Sequence, residues 1–246
     1  MFSLPSLLKQ FKNTFTTRFN IGFPYTMRSY SQEGEDIVLR KIFDSQLNGF
    51  YVDVGAHHPF RYSNTEYFYE HGWRGVNIDA TPGSLLAFSR VRHRDINIEA
   101  VVGTPEGEAN YHLFQDAALN TMSSQRASEV RESGQSKELR QMKLPITRLD
   151  RILDRHLPAS VKIDFMSIDV EGAEMDVLQS NNWTKYKPTI LLVEALSELS
   201  LHDVLRADVT QYLEIQGYEL FGRTLNTLYF RARTTNRSLS RKPVQV

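Results

Sequence analysis

Four short apolar runs, each carrying an acidic residue at or next to its end, constrain the fold of this chain most. They are FYVDV (50–54), GVNID (75–79), FMSID (165–169) and TILLVE (189–194). Continuous apolar, β-branched runs of this length are typical of strands buried on both faces of a parallel sheet. Helical patterns separate them, and such alternation predicts parallel strands joined by right-handed crossovers. We therefore predict an α/β fold with a mostly parallel sheet.

Further elements extend this pattern toward both ends of the sheet. We predict helices over 31–43, 64–71 and 84–92, a single third strand over INIEAVVG (96–103), and another strand over EANYHLF (108–114). Near the C-terminus the pattern predicts a helix and two strands that meet around Thr224–Asn226. Residues 115–143 are polar and show no long strand signal, so we interpret them as an excursion that forms a flap near the active site.

The length of 246 residues suits one sizeable core with short appendages. We predict a basic amphipathic segment over 1–29, one domain over 30–232, and a basic flexible tail over 233–246. Apolar residues in the first segment recur at helical spacing, at Leu4, Leu8, Phe11, Phe15 and Phe19. Two interpretations stay open for this stripe. It makes peripheral contact with a membrane surface, or it packs on the body or a second subunit, which we favour.

Composition and charge exclude several classes of function. Cysteine is absent, which excludes disulfides and thiolate metal sites and fits a reducing, cytoplasmic location. No run approaches the roughly 18 apolar residues of a membrane span. Residues 31–230 carry 20 basic and 29 acidic side chains, while both ends are basic. An acidic body argues against nucleic acid as a partner, because binding phosphates requires clustered cations.

The loop after the first strand, VDVGAHH, contains one glycine instead of the Gly-x-Gly-x-x-Gly of a dinucleotide site. A single glycine at Gly55 admits a smaller group, such as a ribose with an amino-acid tail. Asp53 is predicted to be buried, and a buried carboxylate needs a cationic or N–H partner. Asp79 ends the next strand 24 residues after Gly55, where an acid accepts hydrogen bonds from ribose hydroxyls.

These residues carry a family resemblance. The segments YVDVGAHHP, GVNIDATP, EAVVG, FMSIDVEGAEMDVL and GYEL…NTLYF resemble the FkbM family of S-adenosylmethionine-dependent methyltransferases, and YSQEGEDIVL resembles the first helix of one of its branches. The resemblance extends from Tyr30 to Phe230. It implies a Rossmann-like methyltransferase sheet with a C-terminal antiparallel hairpin and helices on both faces. It also implies methyl transfer to oxygen, often a hydroxyl of a sugar or a natural product.

The resemblance implies a set of residues that bind S-adenosylmethionine. They are Asp53, Gly55, Ala56, His57, Ser63, Asn64, Thr65, Asp79, Ala80, Ala100, Val101 and Asp169. The chain departs from the family where Asn-x-Gly often follows the Gly-Ala pair, because His57, His58 and Pro59 stand there instead. We expect Ser63, Asn64 and Thr65, at the start of the next helix, to supply donors in place of that motif.

The first, fourth and fifth strands are expected side by side, which brings His58, Asp169, Glu171 and Glu194 to one edge as candidate catalytic residues. Two mechanisms stay open. In one, Asp169 and Glu194, with His58 as a third ligand, hold Mg²⁺ or Mn²⁺ that binds the acceptor hydroxyls. In the other, His58 or Glu171 acts as a general base without a metal.

The predicted function is methyl transfer from S-adenosylmethionine to a hydroxyl of a carbohydrate, in a nucleotide sugar or a surface polysaccharide precursor. The predicted partner is therefore a small-molecule or carbohydrate acceptor, and oligomerisation is left open. Two alternatives remain at this point. One is a nicotinamide-dependent oxidoreductase on a Rossmann fold, which the missing glycines disfavour. The other is a cofactor-binding domain without catalysis, which the acidic residues at the strand ends disfavour.

Overall fold

The computed structural model describes residues 26–158, 160–195 and 200–233. Its strands are β1 (Phe50–Val54), β2 (Arg74–Asp79), β3 (Ile96–Glu99), β4 (Val101–Val102), β5 (Gly107–Phe114), β6 (Glu138–Thr147), β7 (Phe165–Ile168), β8 (Ile190–Glu194), β9 (Tyr218–Arg223) and β10 (Thr227–Ala232). Its α-helices are α1 (Glu35–Ile42), α2 (Glu66–Glu70), α3 (Leu85–Val91), α4 (Ser124–Ser133), α5 (Leu149–His156), α6 (Glu174–Gln179), α7 (Leu201–Val204) and α8 (Asp208–Ile215).

The main sheet has seven strands in the order β3-β2-β1-β7-β8-β10-β9. The five strands from β3 to β8 are parallel, and β10 runs antiparallel to both β8 and β9. This confirms the mostly parallel sheet with a C-terminal hairpin. The first, fourth and fifth strands of this sheet, β1, β7 and β8, are neighbours as expected. The strand order reverses between β1 and β7, which is where open α/β sheets bind ligands.

Both faces of the main sheet are covered by helices. Val52 and the side chains on the same face of β7 and β8 pack against side chains of α5, α6 and α8. Tyr51 faces the other way and packs with Leu39 of α1 and Phe68 of α2. Trp73 belongs to the second of these cores and Trp183 to the first, so both tryptophans have structural roles. The alternation along β1 explains why its sequence is apolar apart from Asp53: each face meets a helix layer.

A second sheet of three strands, in the order β4-β6-β5, corrects two expectations. Residues 138–147 form the ten-residue strand β6, so the prediction of 115–143 as an excursion without a strand is wrong from Glu138 onward. The predicted strand 96–103 is two strands, because the chain leaves the main sheet at Ala100 and pairs with β6 from Val101. The second sheet contributes one wall of the cleft described below.

The predictions for 1–25 and 234–246, which cover the apolar stripe and most of the basic tail, lie outside the described residues. Within the described part of the chain, none of the helices has the length and apolar character that crossing a bilayer would require.

Candidate active site

A cleft lies at the carboxyl edge of the main sheet, beside the point where the strand order reverses. Its walls come from the loop after β1, from Asp79–Thr81 after β2, from Ala100–Val102, from Asp169–Glu171 after β7, and from the second sheet and the turn that follows it. We call it the first cleft. It encloses about 740 Å³ of space not filled by atoms, part of it open to solvent.

Gly55 joins two sides of the first cleft. Its φ of +86° lies in the left-handed region, and an added Cβ would stand 1.6 Å from the carbonyl oxygen of Asp169. Both facts require glycine, because other residues resist this conformation and any Cβ would collide with the backbone. The ends of β1 and β7 therefore approach each other with only backbone between them.

Asp79 fixes the rim of the cleft and faces into it. Its Oδ2 accepts a hydrogen bond from the backbone N–H of His57 at 2.8 Å. Its Oδ1 accepts from the N–H of Thr81 at 2.8 Å and from the hydroxyl of Ser84 at 2.9 Å. A carboxylate offers about four lone-pair sites. Asp79 therefore retains capacity to accept a hydrogen bond from a ligand hydroxyl.

The first cleft is apolar beside Asp79 and polar on its far wall. Ala80, Ala100 and Val101, which are predicted to bind the cofactor, line it. The far wall was not predicted: the hydroxyl of Tyr111 lies 3.2 Å from that of Thr81, which also accepts from the side-chain amide of Asn120 at 3.0 Å. These residues come from the second sheet and its turn. No sequence motif predicted these residues, because their position depends on the tertiary pairing of β5 with β6.

Four of the predicted cofactor ligands, Asp53, Ala56, Ser63 and Thr65, lie behind the cleft wall instead of in it. The carboxylate of Asp53 is buried, accepts from the hydroxyl of Thr65 at 3.1 Å, and lies in the field of the Arg92 guanidinium. Burial raises the pKa of Asp53 to about 6, against the opposing effect of Arg92. Its partner is therefore internal, which corrects the expectation that it contacts the cofactor.

Arg92 organises the loop between β1 and α2 from inside the protein. Its side chain is fully buried and donates to the carbonyl of Pro59, the hydroxyls of Ser63 and Thr65, and the carboxylate of Glu66. Such a buried cation is stable only when several acceptors surround it. Ser63 and Thr65 are thus held as parts of this network. The sequence did not predict this role, because a basic residue after a helix usually faces solvent.

The two adjacent histidines differ in position. His57 lines the first cleft, its ring stacks on Tyr62 with centroids 6.3 Å apart, and burial lowers its pKa. His58 does not line the first cleft, nor the smaller cleft beside it that is described next. Its Nδ1 accepts the backbone N–H groups of Phe60 at 3.1 Å and Arg61 at 3.0 Å. The structure therefore does not bring His58 to the carboxylates, which corrects its predicted roles as base and metal ligand.

A second, smaller cleft adjoins the first and shares Gln32, Tyr62 and Asp169 with it. It encloses about 280 Å³ of space not filled by atoms, part of it open to solvent. All nine of its lining residues have polar side chains: Gln32, Glu33, Glu35, Tyr62, Asn64, Asp169, Glu194, Asn226 and Thr227. Glu33 and Glu35 come from the start of α1, which Asn226 and Thr227 of the hairpin hold through hydrogen bonds. Gln32 and Tyr62 were not predicted to take part.

Asp169 and Glu194 form a hydrogen-bonded pair of carboxyl groups at the junction of the two clefts. Burial raises the pKa of Asp169 to about 8, while the hydrogen bond from Glu194 opposes this rise. Burial and the neighbouring charge of Asp169 raise the pKa of Glu194 far above its usual range. Two buried carboxyl groups in contact share a proton because both cannot be charged without a large cost. Both carboxyl groups therefore bind protons more tightly than they would in water.

Glu171 approaches the same pair but has a cationic partner. Its Oε2 accepts from Nε of Arg126 on α4 at 2.9 Å. Burial raises its pKa and Arg126 opposes the rise. One carboxylate oxygen each from Asp169, Glu171 and Glu194 lie within 4.8 Å of one another, which is compatible with a shared cation. Glu174, in contrast, accepts the backbone N–H groups of Val170 and Gly172 and shapes the loop.

Comparison with known proteins now bears on this arrangement. The family model described as the methyltransferase FkbM domain matches residues 53–220. The chain belongs to the FkbM methyltransferase family. Membership in this family implies S-adenosylmethionine as the methyl donor, and it favours a methyltransferase over the nicotinamide-dependent alternative.

Three solved structures are similar to this chain, and the first of them shows its fold. Methyltransferase FkbM from Methylobacillus flagellatus KT is 14% identical with a TM-score of 0.50, and the match covers 82% of this chain and 48% of that one. A TehB-like SAM-dependent methyltransferase from Corynebacterium glutamicum is 10% identical (TM-score 0.42, 93% and 100% covered). Precorrin-6y C5,15-methyltransferase from Geobacter metallireducens GS-15 is 14% identical (TM-score 0.40, 83% and 90% covered). A search of curated proteins found no match. The chain spans about half the length of methyltransferase FkbM from Methylobacillus flagellatus KT.

Proposed function

We propose that this chain transfers a methyl group from S-adenosylmethionine to a hydroxyl of a sugar. The observation that supports it is the junction of two clefts at Asp169: one has Asp79 and an apolar wall, and the other is lined by polar side chains alone. The step balances without a further reactant. The hydroxyl oxygen bonds to the methyl carbon, the sulfur–carbon bond breaks, and the hydroxyl proton passes to a base.

The donor fits the first cleft. Asp79 accepts hydrogen bonds from the ribose hydroxyls, and Ala80, Ala100 and Val101 pack on the adenine. Gly55 lets the ends of β1 and β7 approach each other beside the cofactor. The sulfonium then lies toward Asp169, where carboxylates favour a positive charge. Asn64 lines the second cleft and not the first, so we assign it to the acceptor side.

Asp169 is the base in this proposal. It lines both clefts, so it reaches both the donor and the acceptor. Glu194 holds Asp169 in place through their hydrogen bond. A positioned base contributes about 10²–10⁴-fold to the rate of such a step. Glu171 is less suited to this role, because its carboxylate is neutralised by Arg126.

A second route for activating the hydroxyl is supported by the grouping of Asp169, Glu171 and Glu194. Carboxylate oxygens suit Mg²⁺ or Mn²⁺, which would lower the pKa of a bound hydroxyl. A chelator separates the two routes. Full activity after dialysis against EDTA contradicts the metal route, whereas loss of activity that Mg²⁺ or Mn²⁺ restores contradicts the route through Asp169 alone.

The acceptor is proposed to be a sugar because a polyhydroxylated ligand complements a wall of polar side chains. A nucleotide sugar and a precursor of a surface polysaccharide both meet this requirement. An apolar acceptor does not, because it would leave the lining groups without hydrogen-bond partners. The non-catalytic alternative predicts binding of the cofactor without turnover, which the following experiment detects.

The test measures transfer of a radiolabelled methyl group from S-adenosylmethionine to a panel of sugars and nucleotide sugars. We expect label in at least one sugar, and the variant Asp169→Asn should lower the rate about 10²–10⁴-fold. The matched control is Asp154→Asn, an exposed aspartate paired with Lys185 away from both clefts. Binding of S-adenosylhomocysteine by Asp169→Asn shows that the site is intact. Cofactor binding without label in any acceptor contradicts the proposal.

A further inference from the structure

Three hydrogen-bond donors of the second cleft are already used inside the protein. The side-chain amide of Asn226 donates to Oε1 of Glu33 at 2.7 Å, and the hydroxyl of Thr227 donates to Oε1 of Glu35 at 3.0 Å. The amide of Asn64 donates to the hydroxyl of Ser167 at 3.0 Å. These bonds use the hydroxyl proton of Thr227 and one N–H of each amide, while the side-chain oxygens can still accept hydrogen bonds from a ligand.

Two buried acceptor atoms of this cleft have no partner among the described residues. They are Oε2 of Glu194, whose residue is only 8% exposed, and Oδ1 of Asn64. Leaving a buried polar atom without a hydrogen bond is costly, and few such atoms remain in a folded protein. Both residues line the second cleft. A ligand that donates hydrogen bonds would satisfy both atoms.

The charge of the second cleft also favours a ligand that donates hydrogen bonds. Four of its nine lining residues carry carboxyl groups, and none of the nine is Lys, Arg or His. An anionic group brought here would lose its hydration and meet carboxylates without a compensating cation. A hydroxyl or an ammonium group meets acceptors instead.

We propose that the second cleft selects acceptor sugars that present hydroxyl or ammonium groups and rejects sugars with a carboxylate or phosphate beside the methylated hydroxyl. The inference rests on the proposed function and narrows its acceptor to a neutral or amino sugar. In a nucleotide sugar, the diphosphate must then lie outside this cleft.

The first test uses three matched probes: the methyl glycosides of glucose, glucosamine and glucuronic acid, with the galactose series as a second stereochemistry. Their dissociation constants are measured by ligand-observed NMR on the full chain saturated with S-adenosylhomocysteine. We expect the neutral and amino sugars to bind at least about tenfold more tightly than the uronate, because like charges repel in the desolvated site. Equal or tighter binding of the uronates, or no binding by any probe, overturns the proposal.

Two variants distinguish the effect of the second cleft's charge on binding from the effect of its shape. Glu33→Gln keeps the size of the side chain and removes one charge, so binding of the amino sugar should weaken about threefold to tenfold while that of the neutral sugar changes little. The control Glu108→Gln removes a charge from an exposed side chain of β5 and should change neither. Equal effects of the two variants contradict the inference.

The proposed function and this inference fail in different ways. If neutral and amino sugars bind as expected but accept no methyl group, methyl transfer to sugars is contradicted and the selectivity of the cleft stands. If label is transferred to uronates as readily as to neutral sugars, the function stands and the selectivity is contradicted.

Discussion

At the scale of the single residue, Gly55 is the position where substitution should do most harm. In Gly55→Ala the new Cβ would stand 1.6 Å from the carbonyl oxygen of Asp169, at a φ of +86°. We expect a loss of about 3 kcal/mol or more in the free energy of unfolding, combining overpacking with left-handed strain. Urea unfolding of the ligand-free protein measures it.

A matched glycine separates the two contributions. Gly134 has a φ of +69° and nothing within 4 Å of its would-be Cβ, so Gly134→Ala should cost only about 1–2 kcal/mol of backbone strain. If the two alanine variants are equally stable, the close approach of β1 and β7 at Gly55 is not what requires glycine.

The raised pKa of Asp169 predicts how the free energy of unfolding depends on pH. Its pKa in the folded protein is raised to about 8, above that of an unfolded aspartate, so the folded state binds the proton more tightly. The stabilisation is complete below the unfolded pKa and is lost as pH rises through about 8. Ligand-free protein should therefore lose stability from pH 6 to pH 8, by up to about 1.4 kcal/mol per pH unit for one group.

The variants for this prediction remove one carboxyl group each. Asp169→Asn should make the decline shallower, because one of the carboxyl groups with a raised pKa is removed. Asp154→Asn should leave it unchanged, since the pKa of Asp154 is held low by Lys185 and this residue is ionised throughout the range. Urea unfolding at pH 6, 7 and 8 measures the slope, and a slope that Asp169→Asn leaves intact contradicts the assignment.

Residues at strand ends were predictable from the sequence because a parallel sheet places its carboxyl ends together. Gly55, Asp79, Asp169 and Glu194 therefore line the clefts as their positions indicated. Asp53 lies two residues before Gly55, level with Asn77 and Ser167, so it is deeper in the sheet than the residues that line the clefts. Only the structure could show that Thr65 and Arg92 surround its carboxylate there.

At the scale of the element, the loop between β1 and α2 depends on Arg92. Removing its charge in Arg92→Met would leave Glu66 buried without its partner and free the hydroxyls of Ser63 and Thr65. We expect a cost of about 3–5 kcal/mol in the free energy of unfolding. The control is Arg94→Met, since Arg94 is exposed and should contribute within about 1 kcal/mol. Equal destabilisation by both variants in urea contradicts the network.

Strand β6 shows why the second sheet was not predicted. Met142, Leu144 and Ile146 alternate along it and pack on Tyr111 and Leu113 of β5, but they are only partly buried. The other face of β6 is polar and exposed, so the segment has a low apolar content. The period of two over 142–146 was present in the sequence. It was outweighed by the polar residues around it, because a strand buried on one face carries a weaker signal than one buried on both.

At the scale of the whole molecule, the cofactor should stabilise the fold. A ligand that binds only the folded state at 100 times its dissociation constant adds about 2.7 kcal/mol to the free energy of unfolding. For a body of this size each kcal/mol raises the melting temperature by about 2–4 °C, so S-adenosylhomocysteine should raise it by about 5–10 °C. NAD at the same concentration should not shift it. Differential scanning fluorimetry measures both.

The same measurement locates the site. Asp79→Asn should reduce the shift caused by S-adenosylhomocysteine, because the amide offers one acceptor oxygen where the carboxylate offers two for the backbone donors and the ribose hydroxyls. Glu108→Gln, a charge removal on the exposed side of β5, should retain the full shift. A full shift in Asp79→Asn would mean that the methyl donor binds elsewhere, and the donor, base and acceptor could then no longer meet at Asp169.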